Sequence, residues 1–130
     1  MSNHPITHYD YHGYTPKQGD LVYINFDPSI GREIKKRRPA IVVSSDAFNS
    51  RTGFVTICPI TSTIRDLPFF INLHGNKLHG QINASQLRTI DFMAKERHIE
   101  FVERAASTDF MQTAKIIMDG LGFESIINNL

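Results

Sequence analysis

Basic residues crowd one stretch of this 130-residue chain. In GREIKKRRP, Arg32, Lys35, Lys36, Arg37 and Arg38 fill five of nine positions, with the carboxylate of Glu33 among them. Such closely spaced cations suit phosphate groups, because each contact releases condensed counterions and an arginine can fork two hydrogen bonds onto one phosphate. A solvated charged loop has the same composition, and residue types alone leave both readings open. The net charge is only +1, so affinity for nucleic acid must come from local clustering and not from the total. A second set, His4, His8 and His12, is spaced by four as ligands on one helix face would be. Pro5 and Gly13 argue against a helix there, so an irregular arm is expected and no metal site. The lone Cys58, inside the apolar run FVTICPIT, has no partner for an internal disulfide. It reads as a small buried hydrophobe and fits a reducing compartment.

The elements that must position the basic stretch are short. Residues 1–15 mix His, Asn, Pro, Tyr and Gly without periodicity, which reads as an N-terminal extension outside one main domain spanning 16–130. After the turn signal PKQGD, residues 21–26 form an apolar run rich in β-formers that Asp27-Pro28 ends. DPSIGREIKKRRP is then too polar for core and too irregular for a helix, so it is expected to be an exposed loop. Pro39 opens AIVVSS as the next strand, and FVTICPIT follows the turn-like NSRTG. PFFINL, GQINASQL and RTIDF continue at short intervals with no helical unit between them, which predicts an antiparallel sheet or small barrel. From Ser107 the period changes: Phe110, Met111, Ala114, Ile117, Met118 and Leu121 recur as one helix face. Ser107 or Thr108 is expected to cap that helix, Asp109 suits its positive end, and Gly120 or Gly122 can stop it. The fold class is therefore α+β, a small sheet or barrel with a C-terminal helix. No apolar run reaches the roughly 18 residues of a spanning helix, and the N-terminus lacks the apolar core of a signal peptide. A soluble, cytoplasmic protein without membrane contact is expected.

Three stretches together resemble the MazF/PemK family of toxins. DPSIGREIKKRRPAIVVS resembles the family pattern of a strand ending in Asp-Pro, a loop carrying a glutamate, and Arg-Pro opening an apolar strand. CPIT and QLRTID follow in the family's order, so the likeness covers roughly residues 16 to 121. It implies an SH3-like barrel of the CcdB/MazF toxin fold and the toxin half of a type II toxin–antitoxin system. It also implies a sequence-specific endoribonuclease that cleaves single-stranded mRNA without metal or cofactor. Carried over by position, the family's essential arginine falls on Arg38 and its essential threonine on Thr61, with the loop glutamate on Glu33. Gln86 and Arg88 match its Gln-x-Arg pair, Leu67 before Pro68 resembles an apolar base contact, and Arg32, Lys35, Lys36 and Arg37 stand as further RNA contacts. The loop departs from common relatives at Arg32, Ile34, Lys35 and Lys36, and Arg32, Ile34 and Lys36 sit where base preference would be set.

The implied reaction needs no metal because the ribose 2′-hydroxyl is an internal nucleophile held beside the phosphorus. Attack would leave a 2′,3′-cyclic phosphate and a 5′-hydroxyl. Arg38 would stabilise charge on the phosphate, Thr61 would donate a hydrogen bond to it, and Arg38, Glu33 or a bound water would take the proton. The resemblance further implies a homodimer, with surface around Phe54, Ile57 and Ile60 offered to a second copy. It also implies inhibition by a MazE-like antitoxin that competes with RNA for the basic loop. A CcdB-like toxin that binds gyrase without hydrolysis, and a noncatalytic RNA-binding barrel, are the alternatives. Incubation with naked RNA separates them.

Overall fold

Short apolar runs of period two build the core of the protein. A computed structural model describes residues 8–26 and 37–130, so Glu33, Arg32, Lys35 and Lys36 lie outside the described residues, as does His4. Strand β1 (Asp20–Asn25) pairs antiparallel with β2 (Arg37–Val42) on one edge and with β7 (Glu100–Arg104) on the other. Strand β3 (Phe54–Thr61) pairs with β2 and, on its far edge, with β5 (Gln81–Asn83) and β6 (Arg88–Asp91), while β4 (Phe70–Asn72) closes a hairpin on β5. The order is β4-β5-β3-β2-β1-β7 with β6 beside β3, and all of these pairings are antiparallel. The expected α+β sheet is thus present.

Alternation sends successive side chains of each strand to opposite faces, and each face has its own core. Val22, Ile24, Ala40, Val42, Val55, Ile57 and Phe92 make one. Leu21, Ile41, Cys58, Ile60, Leu78 and Ile82 make the other, covered by Phe110, Ile116 and Ile117 of helix α2 (Ser107–Leu121). Of the three residues expected to offer apolar surface to a second copy, Ile57 and Ile60 are therefore consumed within the monomer, and only Phe54 stays exposed.

Several local expectations are corrected. The segment read as turn-like is helix α1 (Asp46–Thr52): Ser45 caps it by accepting from the Phe48 N–H at 3.1 Å, and Gly53 ends it at φ 76°. Strand β2 begins at Arg37 and not at Pro39, so two arginines expected in the loop are strand residues. Strand β7, whose EFVER pattern carries three charges, pairs at the sheet edge where half its side chains can be polar. Helix α2 has Ala106 at its N-cap with no side-chain cap; Asp109 is instead buried and accepts from the His74 N–H and Nδ1–H, both at 2.7 Å. Gly122 stops α2 as expected, at φ 68°, and a short helix α3 (Phe123–Asn128) follows. The packed face of α2 is also narrower than its apolar pattern: Met111, Met118 and Leu121 remain exposed, the last two beside Phe123 and Ile127 of α3.

Residues 8–15, expected to stand outside the domain, lie on it. The Tyr9 N–H donates to Ser50 O at 2.7 Å, Tyr11 and Tyr14 exchange backbone bonds, and both of these rings pack on the first core. Tyr14 Oη donates at 2.5 Å to buried Asp20, which also accepts from the Lys17 N–H at 3.0 Å and Arg104 Nη1 at 2.8 Å. That carboxylate is buried but fully partnered, as burial of a charge requires.

Candidate functional site

Antiparallel register decides which of the candidate side chains share a surface. Ala40 faces Pro59, Ile41 faces Cys58 and Val42 faces Ile57. The last of these pairs is Ala40 and Pro59, so Arg38 lies two residues beyond it on β2 and Thr61 two residues beyond it on β3. Arg38 faces Ile24 on β1, so it prolongs the row of Val42 and Ala40 past the edge of the first core, where it is exposed. Among the described residues it has no ion-pair partner. A cation so placed can bind an anion from outside the chain.

The adjacent arginine is used differently. Arg37 points to the other face, where its guanidinium lies 5.6 Å from the ring centroid of Tyr23 and forms an ion pair with Glu100 of β7. This pairing ties β2 to β7 across β1, and its side chain is only 24% exposed. One residue of strand thus separates an engaged arginine from an open one.

Thr61 is half-buried, and its Oγ1 accepts from the Thr63 N–H at 3.1 Å, which leaves the hydroxyl proton free to donate. Two residues not singled out from the sequence hold this strand end. Gly80, at φ 124°, lets β5 approach so closely that a Cβ there would sit 2.2 Å from the Thr61 carbonyl oxygen. The buried Gln81 accepts from the Arg65 N–H at 2.8 Å and donates to Arg65 O at 3.2 Å and Asn72 Oδ1 at 2.9 Å. It thereby clamps the segment leaving Thr61 to the hairpin. A lone glycine in a strand pattern signals close backbone approach, so Gly80 was detectable; nothing in the sequence distinguishes Gln81.

The remaining candidates lie around these strand ends in different roles. Leu67 is exposed on the segment between β3 and β4, its carbonyl accepting from the Phe70 N–H at 3.1 Å. Gln86 is exposed in the turn between β5 and β6. Arg88 is half-buried, with its guanidinium 5.3 Å from the Phe26 ring centroid and Nη2 donating to Phe26 O at 3.2 Å. Arg97 donates to the same carbonyl at 2.5 Å and to Asn25 O at 3.0 Å. Both arginines therefore pin the end of β1, the last described point before the basic stretch. No group of three or more His, Cys, Asp or Glu able to hold a metal occurs among the described residues.

Similarity to known proteins shows the family and the fold. Residues 17–120 match the family of PemK-like, MazF-like toxins of type II toxin–antitoxin systems. The endoribonuclease toxin MazF of Escherichia coli (strain K12) is 35% identical over 82 residues, covering 63% of this chain and 74% of that protein. The crystal structure of MazF from Deinococcus radiodurans superposes with a TM-score of 0.73 at 33% identity, over 84% of this chain and 98% of that one. A MazE–MazF crystal structure from the same organism gives 0.72 at 30% identity, over 84% and 97%. These relatives favour the nuclease expectation over the gyrase-binding one. With a fold, a strand-end pair and a family match over the same residues, the chain belongs to the PemK-like, MazF-like toxins of type II toxin–antitoxin systems.

Proposed function

We propose that this protein is the toxin of a toxin–antitoxin pair and cuts single-stranded RNA, with Arg38 and Thr61 as the catalytic pair. The observation that supports the proposal is the β2–β3 pairing, whose last pair, Ala40 and Pro59, leaves Arg38 and Thr61 each two residues further along its strand. In the reaction, the 2′-hydroxyl gives up its proton to Arg38, Glu33 or a bound water and attacks the neighbouring phosphorus, charge accumulates on the nonbridging oxygens, and the 5′-oxygen departs with a proton taken from solvent water or returned by that acceptor. Products are a 2′,3′-cyclic phosphate and a 5′-hydroxyl. The Arg38 guanidinium serves as a fixed counter-charge for the phosphorane. Thr61 donates its hydroxyl proton to the same oxygens. Glu33 is proposed as a third catalytic residue and Arg32, Lys35 and Lys36 as RNA contacts from their positions in the sequence, with Leu67 and Gln86 as base contacts. Arg88 supports the site by fixing the end of β1, and Arg37 by fixing β2.

The protein acts in the cytoplasm as a two-fold dimer, silenced by a MazE-like antitoxin whose acidic segment competes with RNA for Arg38 and its neighbours. No helix among the described residues is long and apolar enough to cross a membrane. The apolar surface that a second copy covers is assigned to α2 and α3, since Ile57 and Ile60 are already buried. Incubation of a long unstructured RNA in excess EDTA, with mapping of cut sites and end groups, tests the reading. Cyclic-phosphate ends at a recurrent short sequence are expected, and intact RNA overturns it.

A further inference from the structure

The N-terminal segment builds a groove that the family match does not include. Tyr14 and Thr15 precede residue 17, where that match begins, yet together with Lys17, Asp20, Phe101 and Arg104 they line a cavity of about 510 Å³. That volume lies within the roughly 300 to 1,000 Å³ of small-ligand sites. Two aromatic rings form its walls: Tyr14 and Phe101 have centroids 5.9 Å apart, tilted by 52°. Tyr14 is held in place by its bond to buried Asp20, whereas Phe101 is 45% exposed. The rim is cationic. Arg104, 59% exposed, shares its charge with buried Asp20, and the Lys17 ammonium, which has no carboxylate partner among the described residues, leaves the rim with a net positive charge.

Phe101 and Arg38 flank the same face of the sheet, with the buried Val22, Ile24 and Ala40 of the first core between them. Phe101 faces Val22, Val22 faces Ala40, and Arg38 follows two residues along β2, so alternation puts these side chains on one face of the sheet. With strands spaced about 4.8 Å and residues about 3.4 Å apart, Phe101 is on the order of 12 Å from Arg38 in backbone terms. The register shift in the β1–β7 pairing falls between Leu21 and Val22, beside Phe101, and such irregularities re-aim side chains next to binding sites. Exposed rings with flanking cations are how proteins hold unpaired bases, by stacking and phosphate attraction, without reading sequence.

We infer that the groove formed by Tyr14, Phe101, Lys17 and Arg104 is an auxiliary site for a nucleotide of the same single-stranded RNA, beyond the cleaved dinucleotide. This rests on the ribonuclease reading for its substrate. The N-terminal segment then lengthens the RNA footprint with a base-stacking notch that tolerates any base.

The test uses the full chain and oligouridylates of about 4 and about 12 nucleotides, with 4-thiouridine placed along the longer one. Photocrosslinks to the long oligomer are expected at Tyr14 or Phe101. Phe101→Ala should weaken binding of the long oligomer by about fivefold or more and leave the short one unchanged, since stacking is lost only where the strand reaches the notch. Lys17→Gln should lower the salt slope for the long oligomer alone. Phe101 is half exposed and outside the Asp20 network, and an unchanged melting temperature verifies that its variant is folded. Absence of crosslinks at Tyr14 and Phe101, or equal affinity of Phe101→Ala for the long oligomer, overturns the proposal. Occupation of the groove by an antitoxin peptide, with RNA crosslinked only elsewhere, overturns it too. Crosslinks in the groove without cleavage of any RNA would support the site while refuting the nuclease.

Discussion

Arg37 and Arg38 are neighbours with opposite surroundings, one paired with Glu100 and the other exposed, and the contrast is measurable. Arg38→Ala and Thr61→Ala should each lower cleavage by about a hundredfold or more, the usual cost of removing a donor aimed at developing negative charge. Arg37→Ala should keep the chemical step and instead lower the melting temperature, because it removes the Tyr23 contact and the Glu100 ion pair. Single-turnover cleavage beside thermal unfolding separates the two outcomes, and normal turnover by the Arg38 variant would remove it from the site. Arg38 and Thr61 were legible as candidates because they close short, ordered motifs. The division of labour between the arginines was not. It depends on β2 starting at Arg37, and once a residue belongs to a strand, alternation and not charge decides where it points.

At the scale of the element, the β4–β5 hairpin is what fixes Thr61. Gly80→Ala would bring a Cβ against the Thr61 carbonyl, and backbone on both sides leaves little room to yield. Cleavage should fall at least about tenfold with a destabilisation of about 1–3 kcal/mol, and a fully active, stable variant would show that β5 does not position the site. The hairpin tip has its own tie. Burial works to raise the pKa of Glu103, but N–H groups of Leu78, Lys77 and Asn76 and the charge of Lys77 outweigh it and hold the carboxyl below its ordinary value. A depressed carboxylate adds stability above the unfolded pKa of about 4.3, and that stability is lost as pH falls through the lower folded value. Glu103→Gln should therefore melt earlier at neutral pH, with the gap closing in strong acid; a constant gap would exclude the charge as its cause. FVTICPIT was legible to the residue because it is a long apolar run. Helix α1 was not, since NSRTG carries turn residues and the cap that starts the helix, Ser45, lies upstream of them. Strand β7 was hidden by its charges, which an edge position tolerates.

Over the whole molecule, the α+β architecture followed from strand spacing and a single change of period, whereas the face of α2 that packs did not. Its apolar residues spread over more than the sheet can cover, which leaves Met111 exposed, and Met118 and Leu121 exposed beside Phe123 and Ile127 of α3. If a second copy covers them, light scattering at micromolar concentration should give a dimer, and Met118→Glu should weaken it by about tenfold or more by placing a charge in an apolar contact. An unchanged dimer would locate the interface elsewhere.

Cys58 offers a clock on these events. Its side chain is 0% exposed in the second core, and burial pushes the thiol pKa up to about 12. Because thiol reagents need an exposed thiolate, the native protein should resist alkylation, and each labelled molecule will record one opening of the core between the sheet and α2. The labelling rate at fixed pH then measures the population of that opened state. Antitoxin or RNA should slow it by the factor their binding stabilises the closed form, and labelling as fast as that of a small free thiol would mean that the core is open in solution. The chain thus carries a built-in reporter of its own breathing, readable by mass spectrometry without any introduced label site.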